Sequence, residues 1–168
     1  MKHQFEGNIY LLGFMGAGKS TLGTELAHNL SRPFIDLDIL FSRRYQLSIS
    51  HYFQRFGEAA FRDVESSLLA EHHGLDAVIA TGGGVIVFPQ NRTLLQDHCA
   101  STIWLHPAWK ILWRRIQSSD RPLVTEHTEA QLQQIWQDRL SLYASCADLV
   151  ITSEDSAVQL REVLGFCR

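Results

Sequence analysis

The chain of 168 residues has little of what builds disulfide-stapled, zinc-bound or membrane-spanning proteins. Its three cysteines, Cys99, Cys146 and Cys167, are widely spaced without a C-x-x-C pair, which argues against a disulfide framework and a zinc site. No apolar run approaches the roughly 20 residues that a helix needs to cross a bilayer. Residues 1–7 lack the apolar stretch of a signal peptide. We therefore expect a cytoplasmic protein with reduced thiols and no membrane association.

Excess positive charge is also absent. The 15 lysine and arginine residues are outnumbered by 18 aspartate and glutamate residues, which gives a formal net charge of −3. Because nucleic-acid-binding domains usually carry a basic stripe, we expect no nucleic-acid partner. The length suffices for a core that needs no metal or disulfide, and no repeat or interdomain linker divides the chain. The sequence therefore predicts a single domain over residues 1–168.

The clearest motif that is present is a phosphate-binding loop. Residues 13–20, GFMGAGKS, match G-x-x-x-x-G-K-[ST] and directly follow the apolar run 8–12. In a strand, glycine loop and helix of this kind, backbone N–H groups and the positive end of the helix converge on phosphate oxygens. We predict that Lys19 reaches the β- and γ-phosphates of ATP and that the Ser20 hydroxyl ligates Mg²⁺. The predicted ATP-binding residues here are Gly13, Gly16, Ala17, Gly18, Lys19, Ser20 and Thr21.

Apolar runs alternate with segments of helical spacing along the chain. The predicted strands are residues 8–12, 33–36, 77–80, 101–105 and 149–151. The predicted helices are residues 21–30, 59–72, 130–144 and 156–164. This alternation indicates an α/β protein built from βαβ units with a parallel sheet. The strands are continuously apolar, which favours a sheet covered by helices on both faces.

One polar stretch stands between two helical patterns. Residues 118–128 contain no helical spacing and are typical of a mobile loop, and Arg121 places a cation within it. The alternative is a solvated connector. A kinase site needs a segment that closes and excludes water from the transferring phosphoryl group. We therefore predict a lid at about residues 117–128.

Two carboxylates follow the second predicted strand. Asp36 and Asp38 should face the phosphate loop, because sites in open parallel sheets lie beyond the carboxyl ends of the strands. Residues two apart on an extended chain point to opposite sides, which suits them to different roles. One carboxylate could hold Mg²⁺ through its water shell while the other accepts a hydrogen bond from a substrate hydroxyl. The alternative is a helix N-cap aspartate with a solvated neighbour.

Two further segments could contact an anionic substrate. Arg62 and Glu65 would be neighbours on a helix, either as a weak exposed ion pair or with Glu65 orienting a guanidinium that clamps an acid. Gly82, Gly83 and Gly84 follow the third predicted strand and would leave backbone N–H groups open to a ligand. A loop that needs positive φ would use glycine as well.

Together these segments resemble the shikimate kinase family over nearly the whole chain. The resemblance depends on the set, because a phosphate loop alone indicates only nucleotide binding. The glycine triplet, the Arg-Pro-Leu sequence at 121–123 and the D-x-D pair separate this family from its relatives. The resembling segments are 13–20, Asp36 with Asp38, 57–58, 61–65, 81–84, 91–92, 121–123 and Arg139 with Tyr143.

The resemblance implies a three-layer P-loop kinase fold with a five-stranded parallel sheet of order 2-3-1-4-5. It implies transfer of the γ-phosphoryl group of ATP to the 3-hydroxyl of shikimate, in the route to chorismate and the aromatic amino acids. Substrate-binding helices would occupy about residues 38–72. By this likeness Arg62 and Arg139 bind the shikimate carboxylate, and Glu65 orients Arg62.

The same likeness assigns the remaining roles. Asp38, with Gly83 and its neighbours in the triplet, would hold the ring hydroxyls, and Asp38 is the candidate base. Asp36, through water, and Ser20 would serve Mg²⁺. Arg121 on the lid would bridge phosphate and substrate as the site closes.

Other expectations concern the nucleoside and the rival functions. An arginine shortly before the lid usually stacks on adenine in this family, and spacing does not choose between Arg114 and Arg115. Residues 152–156 lack the basic, proline-bearing adenine loop of some members. The alternatives are another small-molecule kinase of this fold, such as a gluconate kinase, and a non-catalytic nucleotide-binding module. We expect a monomer.

Overall fold

The computed structural model describes residues 7–167, whose strands form one five-stranded sheet. The strands are β1 (Ile9–Leu12), β2 (Phe34–Asp36), β3 (Val78–Ala80), β4 (Ser101–Leu105) and β5 (Leu149–Ile151). Their order is β2-β3-β1-β4-β5 and every pairing is parallel. The predicted fold class and strand order are confirmed. Residues 1–6 and 168 of the predicted domain lie outside the described residues.

Helices connect the strands and cover both faces of the sheet. They are α1 (Lys19–Leu30), α2 (Leu37–Tyr45), α3 (Ile49–Glu71), α4 (Pro89–Leu95), α5 (Trp109–Ile116), α6 (Pro122–Glu126), α7 (Glu129–Cys146) and α8 (Ser156–Phe166). A short 3-10 helix spans Val85–Val87. Within residues 7–167, no helix has the combined length and hydropathy to cross a bilayer.

The central strand β1 explains the continuously apolar pattern. Its side chains alternate between two buried clusters, so that Ile9 and Leu11 pack with α1 and α5 on one face. Tyr10 and Leu12 pack with α3 and α7 on the other. All four side chains are fully buried, as expected for a strand covered on both faces. This packing fixes the carboxyl end of β1, where the phosphate loop begins.

Helix α3 begins earlier than the apolar spacing predicts, at Ile49 rather than Ala59. The Ser48 side chain caps it by accepting a hydrogen bond from the His51 N–H. Gly57 then interrupts the helical geometry with φ 83° and ψ 168°. The kink puts the two halves of α3 out of phase, so a single helical period detects only the second half.

Part of the expected lid loop is helical. Helix α6 begins at Pro122, a favoured first helical residue because its missing N–H would have no partner there. The preceding residue, Arg121, is extended at φ −65° and ψ 137°, as proline requires of its neighbour. Leu123 and Val124 pack against the core. The expectation of a loop was wrong for Pro122–Glu126, because a helix of five residues is too short to show a period.

Candidate active site

The phosphate loop joins β1 to α1 and encloses the Lys19 side chain. Gly13, Gly16 and Gly18 adopt φ values of 144°, 78° and 98°, a region that L side chains rarely occupy. The Lys19 ammonium donates hydrogen bonds to the carbonyls of Gly13 at 2.8 Å and Phe14 at 3.0 Å. Helix α1 begins at Lys19, so its positive end points into the loop. The loop is therefore shaped to surround a polyphosphate.

The position of Lys19 also changes its acidity. Burial lowers the pKa of this ammonium to about 8, and the nearby carboxylates of Asp38 and Asp36 oppose the change while Arg121 adds to it. A bound polyphosphate would supply several negative charges at once and favour the protonated form. Without a ligand, the nearby carboxylates do not offset the effect of burial on this ammonium.

Asp36 links the phosphate loop to the second strand. Its Oδ2 accepts a hydrogen bond from Ser20 Oγ at 2.5 Å, and its Oδ1 accepts from the N–H groups of Asp38 and Ile39 at 3.0 and 3.2 Å. Asp36 is therefore the N-cap of α2 as well as the partner of Ser20. The expected alternation along an extended strand was wrong, because α2 begins between the two carboxylates, at Leu37.

Asp38 lies in the first turn of α2 and faces the cleft. Burial raises the pKa of its carboxyl above the ordinary value, against the opposing effect of Lys19. Asp38 nevertheless remains an exposed residue that borders the cleft. A carboxylate with a raised pKa accepts a proton more readily than an ordinary aspartate.

Arg62 and Glu65 form a buried pair, with 7% and 4% of their surfaces exposed. Arg62 Nη1 donates to Glu65 Oε2 at 2.6 Å, while Nε and Nη2 both donate to Glu58 Oε1 at 3.2 and 3.1 Å. The alternative of a weak exposed ion pair was therefore wrong. One N–H on each terminal nitrogen has no partner among residues 7–167, which leaves a fork for an external anion.

Glu65 itself carries an unusual feature. Its Oε1 is buried without a hydrogen-bond partner in the described part of the chain. Burial raises the pKa of this carboxyl, although the Arg62 guanidinium acts in the opposite direction. An ideal Cβ on Gly82 would lie close to both Glu65 Oε1 and Asp38 Oδ1, so the two carboxylates converge there. The unpartnered oxygen of Glu65 and the carboxylate of Asp38 thus lie against the same glycine.

The side chains of Arg62 and Glu65 pack against the glycine triplet. A Cβ on Gly82 would overlap Glu65 Oε1, and a Cβ on Gly84 would overlap the Arg62 guanidinium. The triplet is not among the glycines with positive φ. Glycine is needed here because side chains approach the backbone closely. The expectation that the N–H groups of the triplet are open to a ligand stays a prediction.

Helix α7 supplies a second buried arginine. Arg139 Nη1 donates to the Gly83 carbonyl at 3.2 Å, and the Tyr143 hydroxyl donates to the same oxygen. Arg139 is 9% exposed and its guanidinium lies 5.7 Å from the centroid of the Phe14 ring. Arg139 is therefore no solvated helix arginine but part of the wall next to the phosphate loop.

These groups line two adjoining cavities. The acid-side cavity, of about 590 Å³, lies between α2, α3, α7 and residues 120–123 and is bordered by Arg62, Glu65, Arg139 and the glycine triplet. The phosphate-side cavity, of about 450 Å³, is bordered by residues 15–21 and Asp36. The residues shared by both linings are Met15, Asp38, Gly83 and Arg121. A group that passes from one cavity to the other would therefore pass Asp38 and Arg121.

Comparison with known proteins identifies the family. A family model described as shikimate kinase matches residues 15–166. The chain belongs to the shikimate kinase family. The shikimate kinase of Enterococcus faecalis is 38% identical over 162 residues, covering 94% of this chain and 96% of the relative. That of Synechococcus is 42% identical over 159 residues, covering 92% and 83% of the two chains.

Solved structures agree with this family. The shikimate kinase from Acinetobacter baumannii in complex with shikimate matches with a TM-score of 0.88 and 32% identity, covering 97% of this chain and 93% of that one. A gluconokinase from Sinorhizobium meliloti matches with a TM-score of 0.54 and 18% identity, a likeness that shows the fold alone. The family resemblance drawn from the sequence motifs is thus confirmed.

The two arginines considered for adenine in this family occupy different positions on α5. Arg115 Nη1 donates to the Gly16 carbonyl at 2.9 Å and borders the phosphate-side cavity. Arg114 is exposed and does not border that cavity. The structure therefore places Arg115, but not Arg114, beside the phosphate loop.

Sequence reasoning missed several residues that border the cavities of this shikimate kinase family member. Glu58 borders neither cavity but holds Arg62 from four residues before it, a helical spacing that the sequence already contained. Residues 57–58 were part of the family resemblance, but no role was expected for Glu58. The others lie on segments without a chemical motif, and only packing brings them to the site. On the acid side they include Ile39, Ser42, Arg43, Ser50 and Phe53, and on the phosphate side Glu154, Ser156 and Gln159.

Proposed function

We propose that this chain transfers the γ-phosphoryl group of ATP to the 3-hydroxyl of shikimate, in the route to chorismate and the aromatic amino acids. The observation that carries this proposal is that buried Arg62 and Arg139 border a cavity that adjoins a phosphate loop. The relative from Acinetobacter baumannii, whose structure contains shikimate, supports the choice of acid.

The acid end of the substrate is assigned to the two arginines. Arg62 retains two N–H groups that its glutamate partners do not use, and charge-assisted hydrogen bonds of this kind are stronger than neutral ones. Arg139 adds a second guanidinium from α7, against the neighbouring residue of the glycine triplet. A carboxylate between them would leave the ring hydroxyls next to Asp38 and Gly83, which border both cavities.

The chemical step follows from the residues shared by the cavities. Phosphoryl transfer depends mainly on positioning and on neutralising charge at the phosphoryl oxygens, for which Lys19 and Arg121 are placed. As the 3-hydroxyl oxygen forms its bond to phosphorus, Asp38 accepts the hydroxyl proton. The bond between the γ-phosphorus and the bridging oxygen breaks, and ADP leaves with its electron pair.

The donor set next to the phosphate loop fits Mg²⁺. Ser20 Oγ and Asp36 Oδ2 lie together beside α1, and Mg²⁺ prefers hard oxygen ligands and often takes only one or two of them from the protein. Ser20 would hold the ion directly and Asp36 through a water molecule. When bound, the ion neutralises charge on the β- and γ-phosphates.

The decisive experiment is an assay of ADP release with MgATP and a panel of acceptors. Shikimate, quinate, gluconate and nucleoside monophosphates should be compared by kcat/KM, with ATP alone as the control for hydrolysis. We expect shikimate to give the highest value. A higher value for gluconate would favour the alternative of a sugar-acid kinase, and no turnover with any acceptor would favour a binding module.

A further inference from the structure

One hydrogen bond crosses the mouth of the acid-side cavity. The Ser50 hydroxyl donates to the backbone carbonyl of Asp120 at 2.8 Å, although the two residues are 70 positions apart. Both residues border the acid-side cavity, Ser50 from the first turn of α3 and Asp120 from the lid. A serine near the start of a helix ordinarily bonds to its own backbone. Here the hydroxyl bonds to the lid instead.

The acceptor of this bond belongs to the peptide unit that contains the Arg121 nitrogen. Because a peptide unit is planar, holding the Asp120 oxygen also holds the start of Arg121. On the other side, Pro122 has a fixed φ and begins α6, whose Leu123 packs on the core. The backbone of Arg121 is therefore fixed on both sides while its side chain borders both cavities.

We propose that Ser50 is a positioning residue that latches the lid over the bound acid and thereby holds Arg121 between the two cavities. This inference rests on the proposed function, because Arg121 and the acid substrate are what the latch serves. A further cavity of about 310 Å³ shares Ser48, Ser50, Asp120 and Pro122 with the acid-side cavity. The hydrogen bond between Ser50 and Asp120 therefore lies between the acid-side cavity and this further cavity.

The expected effect follows from the strength of one neutral hydrogen bond. Its loss should shift the equilibrium between closed and open lid by about two- to tenfold. Ser50→Ala should therefore raise KM for shikimate by about two- to tenfold, because binding must then close a looser lid. At saturation the bound substrates themselves hold the lid, so kcat should change by less than about twofold.

Three variants separate a latch from a general effect on α3. Ser50→Ala removes the hydroxyl, and Ser50→Thr retains one at the same position. Ser67→Ala is the matched control, because this exposed serine lies on the same helix and bonds only to the Asp63 carbonyl, at 3.0 Å. Each variant is assayed for kcat and KM, and hydrogen exchange of the amides in residues 123–126 is measured without ligand.

A latch predicts faster amide exchange in residues 123–126 and a raised KM for Ser50→Ala alone, with Ser50→Thr close to the wild type. In the Arg121→Ala background, Ser50→Ala should change KM no further, since the latch acts through Arg121. Unchanged exchange and KM in Ser50→Ala, or equal changes in Ser67→Ala, would overturn the proposal. If the wild type prefers another acid, the proposed function fails while the exchange result still decides the latch.

Discussion

The two cavities of the candidate site are built in different ways. The phosphate-side cavity is mainly a product of one continuous segment, in which positive-φ glycines and the start of α1 surround Lys19. The acid-side cavity collects residues from α2, α3, the glycine triplet, residues 120–123 and α7, which are spread over about a hundred positions of the chain. Phosphate binding is thus a local property of the backbone, whereas acid recognition exists only after the helices have packed.

Glycine illustrates the same contrast. In the phosphate loop, Gly16 and Gly18 adopt positive φ, so the backbone conformation itself requires glycine at these positions. In the triplet, Gly82 and Gly84 have no positive φ but lie against Glu65 and Arg62. The first kind of glycine can be inferred from a motif, and the second only from the residues that pack on it.

The largest effect should come from the phosphate side. Lys19→Ala should lower turnover at saturating MgATP and shikimate by at least about 10³-fold, because a positioned charge at the transferred phosphoryl group is lost. The fold should remain, since Lys19 makes polar contacts to carbonyls rather than core contacts. Thermal unfolding and turnover should be measured beside Lys110→Ala, an exposed control. Near-normal turnover of Lys19→Ala would contradict the phosphate-loop assignment.

Substitution of Asp38, at the boundary between the two cavities, should have the next largest effect on turnover. Asp38→Asn should reduce kcat by about 10²- to 10³-fold, the range for loss of a general base. Asp36→Asn should lose less than about tenfold at high Mg²⁺, because asparagine is also a good N-cap and retains the start of α2. The measurement is kcat of both variants over a Mg²⁺ titration. Equal losses, or rescue of Asp38→Asn by Mg²⁺, would show that their roles are misassigned.

The acid side should respond through binding. Arg62→Ala or Arg139→Ala should weaken shikimate binding by about 1.5–3 kcal/mol, the range for a hydrogen bond to a charged group, or roughly ten- to hundredfold. MgATP affinity should hardly change. Glu65→Gln should cause a smaller loss of shikimate affinity, because it keeps the charge of Arg62 but loosens the orientation of its guanidinium.

Separate calorimetric titrations of shikimate and MgATP test this selectivity, with Arg161→Ala on the exposed face of α8 as the control. If Arg62→Ala and Arg139→Ala weaken both ligands equally, or neither ligand, the arginines serve the fold rather than the substrate.

The smallest effect should come from a substitution in the glycine triplet, against which Arg62 and Glu65 pack. Gly84→Ala should displace the Arg62 guanidinium and raise KM for shikimate, with an overpacking cost of about 1–3 kcal/mol in unfolding free energy. Gly165→Ala on α8 is the matched control, since nothing lies within 4 Å of its added Cβ and alanine favours helix. Urea unfolding and shikimate KM are compared for the two variants. An unchanged KM for Gly84→Ala would mean that the position of the Arg62 guanidinium does not depend on a glycine at residue 84.

Much of the fold could be predicted because its signals are local. The buried strands are continuous apolar runs, and β4 was predicted with its observed bounds, Ser101–Leu105. The phosphate loop is one contiguous motif. By contrast, Gly57 breaks the period of α3, so its first half was missed, and α6 is shorter than two helical turns.

The acid side could be predicted only as candidate residues. The spacing of Arg62 and Glu65 fits an exposed pair as well as a buried one, and burial is decided by how α3 packs on the sheet. Asp36 and Asp38 were expected on one extended strand, but the capping bonds of Asp36 start a helix between them. Ser50 carries no motif, and its partner lies on a segment 70 residues away.

The carbonyl of Gly83 has a consequence for the polarity of the cleft. A carbonyl oxygen offers two lone pairs, and the Tyr143 hydroxyl and the Arg139 guanidinium both donate to this one. That oxygen is therefore saturated, although Gly83 borders both cavities. Asp38, which borders the same two cavities, remains as an acceptor for a ligand hydroxyl there. The cleft thus sorts the polar groups of a polyhydroxy acid by hydrogen-bond direction, with anionic acceptors toward the arginines and a hydroxyl donor toward Asp38.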